Sequence, residues 1–457
     1  MHAIFAIILT LAMGPHSLRQ WLKHWEALEP PMYNRKILVL GDSTNSKAGA
    51  AFVPYYERML YALPSGSPIL GVGLSISSGN TTPTTLNTGS NGARMTAFST
   101  KGPDTAIPAG STLGFVPPGY RMGDGPAIGS GLTTYANLYS TGIVNDASIS
   151  PQGESWITGG NIKVGYGLVR GQVDNEWIEK VSLRSITDHG GANGLNAWSQ
   201  TIIGDQTITS DSDGCIRIEA LYTEPSDSRI GIRLDPAADP SPGNQAGTIG
   251  KAVTIMACWV WDVDQESNNA AYAVDSISIG GWAASNAAAK LNAASYAAYV
   301  GGMPFTPDTF VIWHGQNTGG GEWTGSAWTS ALDDHYATII EDVRAGFTAA
   351  GKPLPKIVLT VPPQMSGTYE GSRFDLLRAA LATIAAENDC VVMDLWSLIG
   401  DSLDQIDAGY SHDGDHPTEA GADFVNSYFW PALEAATAES EESHGIRSFN
   451  IRDFSVR

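Results

Sequence analysis

The sequence predicts an α/β protein, a parallel sheet covered by helices on both faces, whose chain is interrupted by a long β-rich insertion. Three observations carry that expectation. Lys36-Ile37-Leu38-Val39-Leu40, Asp308-Thr309-Phe310-Val311-Ile312-Trp313, Lys356-Ile357-Val358-Leu359-Thr360-Val361 and Val391-Val392-Met393-Asp394 are short apolar runs of the kind that form buried strands. Helical stretches around Tyr336 to Ala349 and from Phe374 to Ala386 alternate with the last of them, and strands separated by helices imply parallel pairing under helical cover. Roughly two hundred residues separate the first strand from the next such unit, where one helix and a short loop normally suffice.

The first strand stops at Gly41-Asp42-Ser43, ahead of a helical stretch from Tyr55 to Leu63. A serine on such a strand-to-helix turn sits at the carboxyl end of the sheet, where open α/β folds collect ligands and backbone N–H groups converge. By itself the tripeptide is also an ordinary turn composition. Asp413-Gly414-Asp415-His416, followed by Pro417 and a helical stretch from Thr418 to Trp430, adds the missing partners. A serine hydroxyl needs a neutral imidazole to take its proton and a carboxylate to stabilise the imidazolium, and His416 and Asp413 fit those roles for Ser43. The strand ending at Trp313 leads into Gly315-Gln316-Asn317, so that the Asn317 amide can face the serine. An amide aimed at a developing oxyanion is worth about 3 to 4 kcal/mol of barrier.

Gly-Asp-Ser, then Gly-x-Asn, then Asp-x-x-His, in that order, resembles the SGNH (GDSL) hydrolase superfamily, whose four blocks contribute Ser, Gly, Asn and His to one site. The resemblance implies a three-layer α/β hydrolase with Ser43 as nucleophile, His416 as base and Asp413 orienting it. It also implies an oxyanion hole made of the Ser43 and Gly281 N–H groups and the Asn317 amide. Gly281 is taken from Ser276-Ile277-Ser278-Ile279-Gly280-Gly281-Trp282, ahead of a helical stretch from Ala283 to Val300, with Gly280 as the alternative. The aliphatic residue usual after the serine is replaced by Thr44, which leaves the substrate open.

Two segments mimic these blocks. Ser77-Ser78-Gly79-Asn80 resembles the glycine block but is followed by Pro, Thr, Gly and Asn rather than a helix former. Gly400-Asp401-Ser402-Leu403 spells the Gly-Asp-Ser-Leu signature late in the chain, where a tight turn or helix start accounts for it. His412, Asp413, Asp415 and His416 would also suit a metal, but no third ligand group stands out. The expected chemistry therefore needs neither metal nor cofactor.

The expected organisation is a leader or N-terminal helix over 1–30, a first hydrolase part over 31–73, the insertion over 74–265, the second hydrolase part over 266–437 and a tail over 438–457. From Leu74 to Tyr139 the insertion is rich in Gly, Thr, Ser and Pro. From Ile162 to Val263, short runs at Ile162–Val164, Trp177–Leu183, Cys215–Leu221, Arg229–Leu234 and Ala252–Trp259 alternate with turn residues, which suggests a β-sandwich or jelly roll. Trp156, Trp177, Trp198, Trp259 and Trp261 fall in it, either as core or as sugar-stacking faces. Trp323 and Trp328, in a Gly-rich loop after Asn317, are candidates for a substrate platform.

A net charge of −21, from 26 basic against 47 acidic residues, argues against nucleic acid and anionic membrane surfaces as partners. Three cysteines, Cys215, Cys258 and Cys390, leave an odd count. They are read as free thiols, with a Cys215–Cys258 bridge as the alternative. Ala3 to Met13 is apolar and of signal-peptide length, but no Lys or Arg precedes it; a cleaved leader and a retained helix are equally compatible. The tail, with Phe449, Ile451, Phe454 and Val456 nearly alternating, reads as an edge strand, a contact with a second copy, or a frayed end.

The expected function is a serine esterase. Within the resembled family an added β module commonly accompanies O-deacetylation of a polysaccharide in secreted esterases and bacteriophage tail proteins, which places this chain outside the cell or on a virion surface. The alternatives are a glycan-binding virion or adhesion protein on a non-catalytic scaffold, and a lipase or phospholipase.

Overall fold

The structure is a computed structural model that describes residues 35–45, 53–64, 66–74, 95–97, 120–122, 137–139, 161–170, 178–186, 200–207, 215–222, 229–236, 253–366 and 371–443. Its strands, in chain order, are β1 (Lys36–Gly41), β2 (Ile69–Leu74), β3 (Met95–Ala97), β4 (Tyr120–Met122), β5 (Asn137–Tyr139), β6 (Ile162–Arg170), β7 (Ile178–Ile186), β8 (Gln200–Thr207), β9 (Cys215–Tyr222), β10 (Arg229–Pro236), β11 (Val253–Asp262), β12 (Tyr272–Ser276), β13 (Thr309–Trp313), β14 (Lys356–Val361) and β15 (Val391–Asp394). The α-helices are α1 (Tyr55–Met59), α2 (Ala284–Lys290), α3 (Ala293–Gly302), α4 (Ser330–Ala349), α5 (Gly371–Glu387), α6 (Leu395–Ile399), α7 (Leu403–Ile406) and α8 (Glu419–Ser443).

Six strands pair in parallel in the order β15, β14, β13, β1, β12, β2. Because helices cover both faces, the central strands are mostly apolar on both sides. Along β1, Ile37 and Val39 enter one core with Trp313, Val358, Phe429 and Leu433. Leu38 and Leu40 enter the other, with Phe310, Tyr296, Ile340 and Leu381. The period-two alternation of a strand thus feeds two cores at once. Burying such side chains is worth roughly 2 kcal/mol each. Helix α4 presents Leu332, Tyr336, Ile339, Ile340, Val343 and Phe347 on one stripe, and Thr329 caps it by accepting from Ala331 N at 3.2 Å. The result is the expected α/β fold with a mainly parallel central sheet.

The helical stretch expected from Ala283 to Val300 is two helices. Asn292 breaks it, its side chain accepting from Ser295 N at 3.0 Å as the N-cap of α3. The stretch expected from Tyr55 to Leu63 is α1 followed by a short 3-10 turn, Leu60–Ala62.

The strands of the insertion fall into two groups. β11 pairs antiparallel with β2, and β6, β9, β4 and β3 continue the same sheet, so part of the insertion is hydrogen-bonded directly onto the central parallel sheet. β5, β10, β7 and β8 form a separate four-stranded antiparallel sheet. Trp259 and Trp261 are buried core residues, whereas Trp156, Trp177 and Trp198 lie outside the described residues. β6 stands between the strands that carry Cys215 and Cys258; two strand spacings, roughly 10 Å, exceed the reach of a disulfide. Segment 1–30, the Ser77–Asn80 mimic and residues 444–457 also lie outside the described residues.

Candidate active site

Ser43 opens a one-turn 3-10 helix immediately after β1. The turn is shaped by Asp42, whose Oδ1 accepts from the Thr44 N–H at 2.9 Å and the Thr44 hydroxyl at 2.8 Å, while Asn45 N donates to the Asp42 carbonyl. Two flanking segments fix it in the sheet. Gly41 pairs with Trp313 at the end of β13, and Ile279 N donates to the Gly41 carbonyl at 3.1 Å. The Ser276 hydroxyl donates to the Asn45 carbonyl at 3.0 Å. The Ser43 turn is therefore bracketed by the segment leading to Gly281 on one side and the segment leading to Asn317 on the other.

Gly281 is exposed and has φ +76°, a conformation that favours glycine at the turn into α2. The Asn317 side chain donates through Nδ2 to the carbonyl of Trp282 at 3.3 Å, so Asn317 and the Gly281-Trp282 turn are neighbours. Gly280 is half-buried.

His416 comes from the far end of the chain and lies within electrostatic range of Asp42, the residue before Ser43. Its Nδ1 lies 2.8 Å from Asp413 Oδ2 and 3.0 Å from Oδ1, and Asp413 Oδ1 also accepts from the N–H groups of Asp415 and His416. Partial burial pushes the Asp413 carboxyl upward, but the bond from His416, the two backbone N–H groups and the imidazole charge outweigh it and hold the carboxyl below its ordinary range. His416 stands near enough to Asp42 to stabilise its carboxylate electrostatically. Burial dominates at Asp42, however, and holds that carboxyl up at about 6.

The loop that carries His416 is tied to the helix that follows Ser43. Val53 N donates to the Pro417 carbonyl at 3.1 Å. From α8, Asn426 Nδ2 donates to Tyr55 O at 2.8 Å and Trp430 Nε1 to Met59 O at 2.7 Å. Arg58 of α1 forms a two-pronged pair with Asp423 and reaches Glu419 at 2.9 Å.

Ser402 takes no part in this cluster. It is fully buried, precedes α7, and its hydroxyl donates to Gln405 Oε1 at 2.6 Å. The late Gly-Asp-Ser-Leu is thus the expected helix start, with Gly400 ending α6 in a left-handed conformation. Another histidine, His314, lies next to the site at the end of β13, but burial pushes it down to about 3, so it is neutral. Among the described residues no group of three His, Cys, Asp or Glu side chains is arranged to hold a metal ion. No described helix is long and apolar enough to cross a membrane.

Trp323 and Trp328 face each other across a tight hairpin, with ring centroids 5.0 Å apart. Arg373 of α5 lies over both rings, at 5.7 and 5.4 Å. Its Nη2 donates to the carbonyls of Gly315 and Gln316 at 2.8 and 2.7 Å, and the Trp328 indole donates to the Arg373 carbonyl at 3.0 Å. Arg373 thus fastens both the hairpin and the Asn317 loop. Its sequence context, Gly371-Ser372-Arg373 at a helix start, carries no signal of that role.

Residues 259–424 match the GDSL-like lipase/acylhydrolase family. That match is consistent with the SGNH (GDSL) hydrolase superfamily. The matched stretch holds Gly281, Asn317, Asp413 and His416 but not Ser43. Among solved structures the chain is similar to a peptidoglycan O-acetylesterase, at 11% identity over 93% of this chain and 96% of that one with a TM-score of 0.47. It is also similar to a carbohydrate esterase of family 3 from Talaromyces cellulolyticus, at 17% identity over 37% and 72% with a TM-score of 0.26. A family two carbohydrate esterase from Clostridium thermocellum is similar at 12% identity over 71% and 94%, also with a TM-score of 0.26. At these scores the likenesses carry no argument about substrate. No curated protein matches the chain.

Proposed function

We propose that this SGNH hydrolase is a serine esterase that works through an acyl-enzyme. The Ser43 hydroxyl attacks the ester carbonyl while His416 Nε2 takes its proton. Asp413 holds the other ring nitrogen and stabilises the imidazolium. The oxyanion is met by the N–H groups of Ser43 and Gly281 and by the Asn317 amide. His416 returns the proton to the leaving alcohol, and water, activated by the same imidazole, then releases the acid.

One observation carries this reading: β1, which delivers Ser43, is paired between β12 and β13, and those strands lead to Gly281 and Asn317. A segment outside the family match is thereby set among the segments within it.

The substrate we propose is an O-acetylated polysaccharide met outside the cell or on a virion surface. The half-buried Trp323–Trp328 pair beyond Asn317 would offer an aromatic face to a sugar ring, and the insertion would help present the polymer.

Hydrolysis of p-nitrophenyl acetate, butyrate and octanoate by the native chain and by Ser43→Ala tests the proposal. Turnover highest on acetate and lost in Ser43→Ala is expected. No turnover of these esters or of an O-acetylated glycan would overturn it in favour of a glycan-binding protein. A substrate preference for octanoate would replace the deacetylase with a lipase. Trp323→Ala should raise KM for an O-acetylated polysaccharide and leave p-nitrophenyl acetate unaffected.

A further inference from the structure

Glu322 sits in the loop after Asn317, behind three glycines, Gly319-Gly320-Gly321. It is 1% exposed. A buried carboxylate persists only where hydrogen bonds replace its water, and here three do. Oε1 accepts from Ser285 N at 2.7 Å and lies 2.9 Å from His335 Nδ1; Oε2 accepts from Gly319 N at 3.1 Å.

The three donors come from three elements. Ser285 is in the first turn of α2, three residues after Trp282. Gly319 lies two residues after Asn317. His335 is on α4, which backs the loop. The carboxylate therefore joins the segment that carries Gly281 to the segment that carries Asn317, a short distance behind the direct Asn317–Trp282 bond. The approach is close. A Cβ on Gly320, which has φ +55°, would stand 2.7 Å from Ser285 Cβ and 2.9 Å from His335 Cε1, so glycine lets the loop pack against these two side chains.

From this geometry we infer that Glu322 is a positioning residue for the oxyanion hole, holding the Gly281 N–H and the Asn317 amide at a fixed separation through Ser285 and Gly319. His335 braces the carboxylate from behind. The inference rests on the esterase reading of Gly281 and Asn317. Glu322 itself touches no reacting atom: what it sets is where the two donors point. Donors preorganised for the transition state raise kcat rather than ground-state affinity, and a displacement of about 1 Å can cost on the order of a hundredfold.

The test is a thermodynamic cycle on p-nitrophenyl acetate hydrolysis with Glu322→Gln, Asn317→Ala and the double variant, alongside Ser43→Ala. Folding is checked by the melting temperature and near-UV circular dichroism. Glu322→Gln keeps the volume but can no longer accept from both N–H groups and meet His335 at once. The expected result is a fall in kcat of about tenfold or more with KM within about twofold, and most of that fall missing in the Asn317→Ala background. His335→Gln, which leaves both N–H bonds in place, should cost less than Glu322→Gln and provides a second, milder variant if the first folds poorly. Unchanged kcat in Glu322→Gln, or a loss that is fully additive with Asn317→Ala, would overturn the positioning role while Ser43→Ala and Asn317→Ala remained inactive or impaired. Full activity in Ser43→Ala would instead overturn the esterase reading, and this inference with it.

Discussion

The Asn317 amide nitrogen lies 3.3 Å from the carbonyl oxygen of Trp282, joining two segments that stand 35 residues apart in the chain. The bond engages one amide hydrogen and aims the group along the Gly281-Trp282 turn, leaving a second hydrogen for an oxyanion. Asn317→Ala is expected to lower kcat for p-nitrophenyl acetate by roughly 10²- to 10³-fold with little change in KM. A loss expressed mainly in KM would mean that the amide binds ground-state substrate instead.

Asp413 accepts from the His416 ring and from two backbone N–H groups, so it shapes the loop as well as the imidazole. Asp413→Asn preserves most of that shape but removes the charge and favours the wrong tautomer. Steady-state kinetics at pH 8 should show kcat down by roughly 10³- to 10⁴-fold, with a melting temperature close to native. Activity within a few-fold of native would show that His416 is oriented by another group.

Ser402 is buried and bonded to the exposed Gln405. Ser402→Ala should leave kcat and KM unchanged and cost about 1 kcal/mol in urea unfolding, the usual worth of one neutral hydrogen bond. Lost turnover with an intact fold would reopen the choice of nucleophile.

Asp42 gives a pH dependence whose sign follows from its burial. Its carboxyl is raised from 3.8 to about 6 in the folded chain, so the fold prefers it protonated. That contribution is fully present below about pH 4 and is lost as pH rises through about 6. Each tenfold change in proton affinity is worth about 1.4 kcal/mol, so the loss is about 3 kcal/mol. Asp42→Asn keeps an oxygen for Thr44 and does not titrate. Its urea midpoint should therefore gain on that of the native chain between pH 4.5 and pH 8. A gap that stays constant with pH would show that Asp42 is ionised without penalty.

The strands β1, β13 and β14 were legible in the sequence because each is buried on both faces and so reads as a nearly unbroken apolar run, and β15 because three of its four residues are apolar. Helices α4 and α5 were legible through their periodicity. The break at Leu291-Asn292 was not, because alanine favours helix on either side and only the capping oxygen of Asn292 ends the run. The positions of Ser43, Asn317 and the Asp413–His416 pair followed from short polar clusters at strand ends and in a loop. Asp42, Glu322 and Arg373 did not, because their burial depends on partners far away in the chain. Glu322 meets Ser285, and Arg373 meets Gly315 and the two tryptophans. The pairing of β11 with β2 was equally hidden, since alternating strands of an insertion look alike whether they join an existing sheet or build their own.

That pairing bears on how the protein comes apart. β11 is laddered to β2 on one side and to β6 on the other, so the seam between the catalytic sheet and the added strands is a row of backbone hydrogen bonds rather than a flexible tether. A fragment lacking β11 would bare the edge of β2. Calorimetry should accordingly record the catalytic sheet and the strands β6, β9 and β11 melting in one endotherm. Grafting this esterase without its insertion would require a new edge for β2, not merely a shorter loop.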